Sequence, residues 1–293
     1  MPGVSNLTPF IVACLAATWF VWGSTYLAIR FSLASFPPFF GMGTRFIVAG
    51  LLLLGWTRHR RRSLPTRLQW RNGLIVGTLM LGGNVGGAAY AEQWVASGLV
   101  VSFIAVTPAA LAIASLPFGI RPTRFEIVGI VLGMIGVVLL ARGSGFSSAP
   151  AGLFAMLVAV LTWSVGSVLS QHVLPLARGA AGFCTQLLGG GLSLMVASAL
   201  AGETFHWPPQ LLAAAAWLYL VTCGSLVAFT AYMVLLSNTS TTLASSYTFV
   251  NPVIALLLGV SLGGETVSAH EWVAVAIIVT GVTAVVLARG RRR

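Results

Sequence analysis

Trp19, Trp22, Tyr26 and Arg30 follow one another at spacings of three and four, which places them on one stripe of a helix. Trp163, Tyr90 and Tyr247 lie in other apolar runs. Indole and phenol rings carried inside such runs suit either the wall of a cavity or a packed core. Asn84, Gln186 and Asn251 are the uncharged polar residues deepest in those runs, and each amide both donates and accepts. They would serve the carboxylate and ammonium of a zwitterion, or hydrogen bonding between helices. Asn251 is one helical turn from Tyr247 on the same face and stands beside Pro252, so it ranks first among the candidate substrate ligands, with Ser246 nearby. Arg45 stands about eight residues into an apolar run. Burying it in lipid costs on the order of 2.5–3.5 kcal/mol, so it needs a partner or water, and it is read either as a snorkelling structural arginine or as an anchor for a substrate carboxylate. The chemistry on offer is reversible binding of a small amphipathic solute.

Two stretches carry a proline inside a long apolar run. Residues 99–121, LVVSFIAVTPAALAIASLPFGIR, and 243–265, LASSYTFVNPVIALLLGVSLGGE, match at an offset of 144 in Ser102 and Ser246, Thr107 and Asn251, Pro108 and Pro252. Each proline removes an amide donor and clashes with the carbonyl four residues back, leaving those of Ile104 and Thr248 without helical partners. The twin prolines are expected to act as a pair of kinks, for gating or ligand contact; a packing kink is the alternative for each alone.

The groups needed for other chemistries are missing. Glu92, Glu203, Glu265 and Glu271 fall at one set of helix ends and Glu126 at the other, and His59, His172, His206 and His270 lie in loops or at helix ends. With no carboxylate deep inside an apolar run, the usual proton or cation relay of a coupled pump is absent, so no obligatory proton coupling is expected. The chain has no lysine for a Schiff base. Cys14, Cys184 and Cys223 show no metal-binding spacing, and no HExxH or GxSxG motif is present. We expect no metal, no cofactor, no catalytic residues and no enzymatic activity.

The elements that position these residues follow from composition. Of 293 residues, 57% are hydrophobic and 7% charged, with a mean hydropathy of +0.95. Such a chain is a polytopic membrane protein, and its continuous runs of roughly 20 apolar residues call for helices. Ten are expected, over residues 8–33, 36–57, 68–92, 96–117, 123–141, 151–172, 179–201, 209–237, 240–263 and 267–288. The formal charge of +11 comes from 16 arginines against five glutamates. The arginines sit between apolar runs, which points to topology and not to nucleic acid. Arg58, Arg60, Arg61, Arg62, Arg67 and Arg71 fix one loop in the cytoplasm. Arg121, Arg124, Arg178, Arg289, Arg291, Arg292 and Arg293 fall on the same side, against Arg30 and Arg142 on the other, so both termini are expected in the cytoplasm.

The halves repeat. Trp22 matches Trp163 and Thr44 matches Thr185 at an offset of 141, Tyr90 matches Tyr232 at 142, and Glu126 matches Glu271 at 145. Units of five crossings, residues 1–145 and 146–293, must enter the membrane in opposite senses, the inverted repeat of transporters. A single chain supplies both halves.

The segments VWGSTYLAIR in the first helix and TRFIVAGLLLL in the second, with the proline helix ending LGGE ahead of IIVTGV, resemble the EamA branch of the drug/metabolite transporter superfamily. The aromatic stripe and the length are most similar to its YddG-type amino-acid exporters. That resemblance implies an all-α fold of ten membrane helices, a central cavity formed by helices one to four and six to nine, helices five and ten as scaffold, and an inner-membrane location. Arg45 and Glu265 match family motif positions; Arg121 departs from a position where the family often has glutamate. The implied function is export of amino acids, aromatic and neutral, and related small metabolites by alternating access. The alternatives are a sugar-phosphate, nucleotide-sugar or drug transporter of the same superfamily, and, from another class, a membrane enzyme or receptor.

Overall fold

The computed structural model describes residues 8–290 apart from positions 62, 121, 148, 240 and 245. Arg62, Arg121, Arg291, Arg292 and Arg293 of the topology count lie outside the described residues. Every regular element is helical among the described residues. Eight helices are long and apolar enough to cross a bilayer: α1 (Pro9–Ser32), α2 (Pro38–His59), α3 (Arg67–Ala91), α4 (Ser97–Phe118), α5 (Arg124–Ala141), α6 (Pro150–His172), α7 (Gly179–Leu200) and α8 (Leu211–Leu235). Two further apolar helices are α9 (Tyr247–Leu262) and α10 (Ala269–Gly290). At 1.5 Å per residue the 22 residues of α2 span about 33 Å, enough for a hydrocarbon core of about 30 Å.

Start signals set the ends. Pro38 and Pro150 open α2 and α6, where a missing amide costs nothing. Thr66 with Gln69 and Thr123 with Glu126 close capping boxes on α3 and α5. The expected ranges agree with these helices to within a few residues except at α9. A single turn, Thr241–Ala244, precedes it, and the continuous helix begins at Tyr247.

Three spans contain wide π-helical turns: Ala17–Val21 in α1, Thr78–Gly83 in α3 and Leu220–Val227 in α8. Those of α3 and α8 fall at the same offset as Tyr90 and Tyr232. Inserted turns of this kind redirect the side chains around them and often mark functional segments.

The packing of the halves is reciprocal. Helix α2 packs on α7 and α5 on α10, while α1 packs on α8 and α9, and α6 packs on α3 and α4. Glycine makes the closest crossing, of α3 on α7: a Cβ at Gly77 would collide with the carbonyl of Gln186, and one at Gly189 with that of Leu74. Small residues let membrane helices approach to this degree. Lipid-facing sides of α5, α6 and α10 remain apolar and exposed, as at Phe125, Val131, Phe154, Leu161 and Val273.

Candidate functional site

A cavity of about 960 Å³ lies between the two halves. Its lining reaches Gln171, Ala177, Gly179 and Thr239 at one end and stops near Ile29, Ala88 and Val101 toward the other. The first end carries the arginine-rich connection between α2 and α3, because Asn72 of α3 donates to the carbonyl of Pro175 there at 3.0 Å. The mouth is therefore at the arginine-rich end.

One wall is aromatic. Trp22 sits 4.8 Å from Tyr247 and 5.3 Å from Tyr232, centroid to centroid, and the two tyrosines are 5.6 Å apart. The indole N–H of Trp22 donates to the carbonyl of Gly224 at 3.1 Å. That carbonyl belongs to the wide turn of α8, so a local departure from α-helical winding holds the indole in place. The same turn aims Ser225, which accepts from Nε of Arg45 at 3.0 Å and donates to the carbonyl of Leu220.

Arg45 is 6% exposed and lines the cavity. Its other contacts are the sulfur of Met42, at 3.5 Å, and the ring of Phe46, 5.0 Å from the guanidinium carbon. Among the described residues it has no carboxylate partner, and no other charged side chain lines the cavity. A guanidinium held by one hydroxyl keeps donors in its planar fork for an anion.

Of the residues expected to bind substrate, Trp22, Asn84, Trp163, Gln186, Tyr247 and Asn251 line this cavity. Asn84 donates to the carbonyl of Ala159 at 3.1 Å and Gln186 to that of Gly182 at 3.4 Å, so each amide spends one donor on helix backbone. With its nitrogen facing the carbonyls, Asn251 donates to Trp19 at 3.0 Å and to Tyr247 at 3.2 Å. Trp19 and Ser246 lie off the lining and bond each other, indole to hydroxyl, at 2.8 Å. The trio Trp19, Ser246 and Asn251 therefore ties α1 to the start of α9. Tyr90 lines a separate recess of about 450 Å³ near the opposite end, stacked on Phe39 and against Trp94.

The prolines differ. At Pro108 the helix is interrupted between Ile104 and Thr107, whereas α9 continues through Pro252. Both line the cavity. The carbonyl of Ile104, expected to lack a partner, accepts from the hydroxyl of Thr107. Ser225, Thr25 and Phe183 also line the cavity without having been singled out from sequence. For Thr25 a signal existed, as the neighbour of Tyr26 on the aromatic stripe; Ser225 gains its place from the wide turn, which residue type does not announce.

The opposite end is shut. Arg30 of α1 places Nε 3.4 Å from Oε1 of Glu265, which accepts from the first amides of α4, those of Ser97 at 2.9 Å and Gly98 at 3.4 Å. Gly264, at φ +61, turns the chain so that Glu265 folds back over Gly259, where a Cβ would strike its carboxylate. Among the described residues no group of His, Cys or Glu side chains could hold a metal ion.

The model of the EamA-like transporter family matches residues 8–142 and again 150–287. The chain is 38% identical over 280 residues to YedA of Escherichia coli (strain K12), described as an uncharacterized inner membrane transporter, covering 95% of this chain and 91% of that one. It is 28% identical to Protein PecM of Dickeya dadantii (strain 3937), over 88% of this chain and 86% of the other. A protein of known crystal structure superposes with a TM-score of 0.66 at 22% identity, covering 96% and 98% of the two chains, which bears on the fold alone. Two family matches that together span the helices on either side of one cavity place this chain in the EamA-like transporter family of the drug/metabolite transporter superfamily, as a multi-pass inner-membrane transporter.

Proposed function

We propose that the protein exports amino acids, neutral and aromatic ones, together with related small metabolites that carry a free carboxylate. The observation that carries this reading is Arg45: a buried guanidinium without a carboxylate partner, facing a cavity whose wall is Trp22, Tyr232 and Tyr247. The carboxylate would sit on Arg45, the apolar or aromatic side chain against the three rings, and the ammonium near the amide oxygens of Asn84 and Gln186. A volume of about 960 Å³ suits such solutes and lies within the ordinary range of small-molecule sites. A sugar phosphate calls for more than one cation around it.

Movement would proceed by alternating access. The reading is of ten crossings in two inverted repeats of five, residues 1–145 and 146–293, supported by the reciprocal packing of α1 with α8 and α9 against that of α6 with α3 and α4. By the positive-inside rule the arginine-rich end and both termini face the cytoplasm, so the described state receives its substrate from inside. With no carboxylate on the cavity lining, flux follows the solute gradient.

The test is counterflow of a labelled amino-acid panel into liposomes holding the purified protein, with and without an imposed pH gradient. Exchange of neutral and aromatic amino acids, with a final distribution independent of the gradient, supports the reading. Exchange of amines lacking the carboxylate at equal rates, or accumulation driven stoichiometrically by the pH step, overturns it.

A further inference from the structure

Four of the five glutamates serve helix N-termini. Glu126 and Glu271 accept from the amides of Thr123 and Ser268 ahead of their own helices. Glu203 accepts from the amides of Phe39 and Phe40 at the start of α2, and Glu265 from those of Ser97 and Gly98 at the start of α4. Each carboxylate lies where a helix favours negative charge.

Glu92 is placed in the opposite way. It follows the last turn of α3, where unpaired carbonyls disfavour an anion. Its residue is 1% exposed, and neither carboxylate oxygen has a hydrogen-bond partner. The charged and titratable groups facing it are Arg30 and the phenol of Tyr26 from α1 and Glu265 from the turn after α9. From the neighbouring α6, Gly152 lies against Ala91 and Val95. Arg30 gives its Nε to Glu265 and Nη1 to the backbone carbonyls of Glu92 and Val95, so the Glu92 carboxylate stays outside the ion pair. Two ionised carboxylates against one guanidinium, on a side chain itself partly exposed, would leave a buried negative charge without a partner. The two acids sit in unlike surroundings: Glu265 accepts from two amides and pairs with Arg30, whereas the Glu92 carboxyl has none of these partners. Burial first, and then the Glu265 carboxylate, hold the Glu92 carboxyl well above the usual range, with Arg30 opposing.

We propose that Glu92 is a proton-binding site that latches this end of the cavity: a proton on Glu92 lets α1, α3, α4 and the Gly264–Glu265 turn pack shut, and it leaves to that side when they part. The closed form binds the proton more tightly, so closure is favoured as pH on that side falls and opening as it rises. The limit is one proton, or about a tenfold change in the open-to-closed ratio per pH unit between the two affinities. Since the proton enters and leaves on the same side, it sets the rate of the cycle and does not drive the solute. The proposal rests on the alternating-access reading for the opening step alone.

The experiment is infrared spectroscopy of the full chain in lipid nanodiscs at pH 7, in wild type and Glu92→Gln, with and without ¹³C-glutamate. The chain has no aspartate, so an isotope-shifted carboxylic-acid carbonyl band must arise from one of five glutamates. We expect that band in wild type and its loss in Glu92→Gln. Hydrogen exchange of residues 92–98 and 259–265, corrected for the intrinsic rate, should lose protection by up to about tenfold per pH unit in wild type and stay protected in the variant. Absence of the band in labelled wild type overturns the proposal even where Glu92→Gln cannot be produced. A band retained in Glu92→Gln, or the same pH dependence in both proteins, also overturns it. Neither readout requires transport, so failure of the amino-acid reading would leave this result distinct.

Discussion

Under the proposed function, recognition turns on Arg45. Hydrogen bonds to a charged group contribute about 1.5–3 kcal/mol. Arg45→Gln should therefore raise the half-saturating concentration of carboxylate substrates in counterflow by roughly 10- to 100-fold. Ser225→Ala removes the hydroxyl that accepts from Nε. With the guanidinium less firmly placed, the same substrates should weaken about fivefold in the same assay, or about 1 kcal/mol. Arg45 was legible in the sequence because a lone cation in an apolar run demands an explanation. Ser225 was not, since a serine in a membrane helix usually bonds its own backbone, and only the wide turn of α8 brings it to α2. Trp19, Ser246 and Tyr90 show the converse: their types suited a binding wall, but helix rotation and the tie between α1 and α9 place them off the cavity.

Among elements, α4 and α9 carry the twin prolines but differ in form. The break between Ile104 and Thr107 and the uninterrupted passage through Pro252 describe one state of a pair whose roles would exchange in an inverted repeat. Replacing both, Pro108→Ala with Pro252→Ala, should change the counterflow rate several-fold while moving the half-saturating concentration less; unchanged rates would count against gating. Asn251 reaches from α9 to the carbonyl of Trp19 in α1. Asn251→Leu should lower thermal stability by about 0.5–1.5 kcal/mol through loss of that hydrogen bond, read as a lower melting temperature in lipid nanodiscs. Helix positions were legible because apolar runs and start signals are local. The wide turns were not, because one extra residue per turn leaves hydropathy unchanged. The start of α9 at Tyr247 was also hidden, inside a run apolar from end to end.

For the whole molecule, recurrence of tryptophan, proline, tyrosine and glutamate led to the expectation of two repeats, while the partner of each helix had to come from the structure. The α3–α7 crossing joins the halves at backbone distance, and Gly77 occupies it without room for a side chain. Gly77→Val should cost about 1–3 kcal/mol by overpacking, with a lower melting temperature and reduced yield of dispersed protein. The mouth at the arginine-rich end has a pharmacological consequence. A carboxylate with an aromatic group too large for the helices to close around could still reach Arg45 and Trp22 through that opening. It would arrest the carrier when supplied on the arginine-rich side and leave it running when supplied on the other, so inhibition itself would report which way each molecule sits in a vesicle.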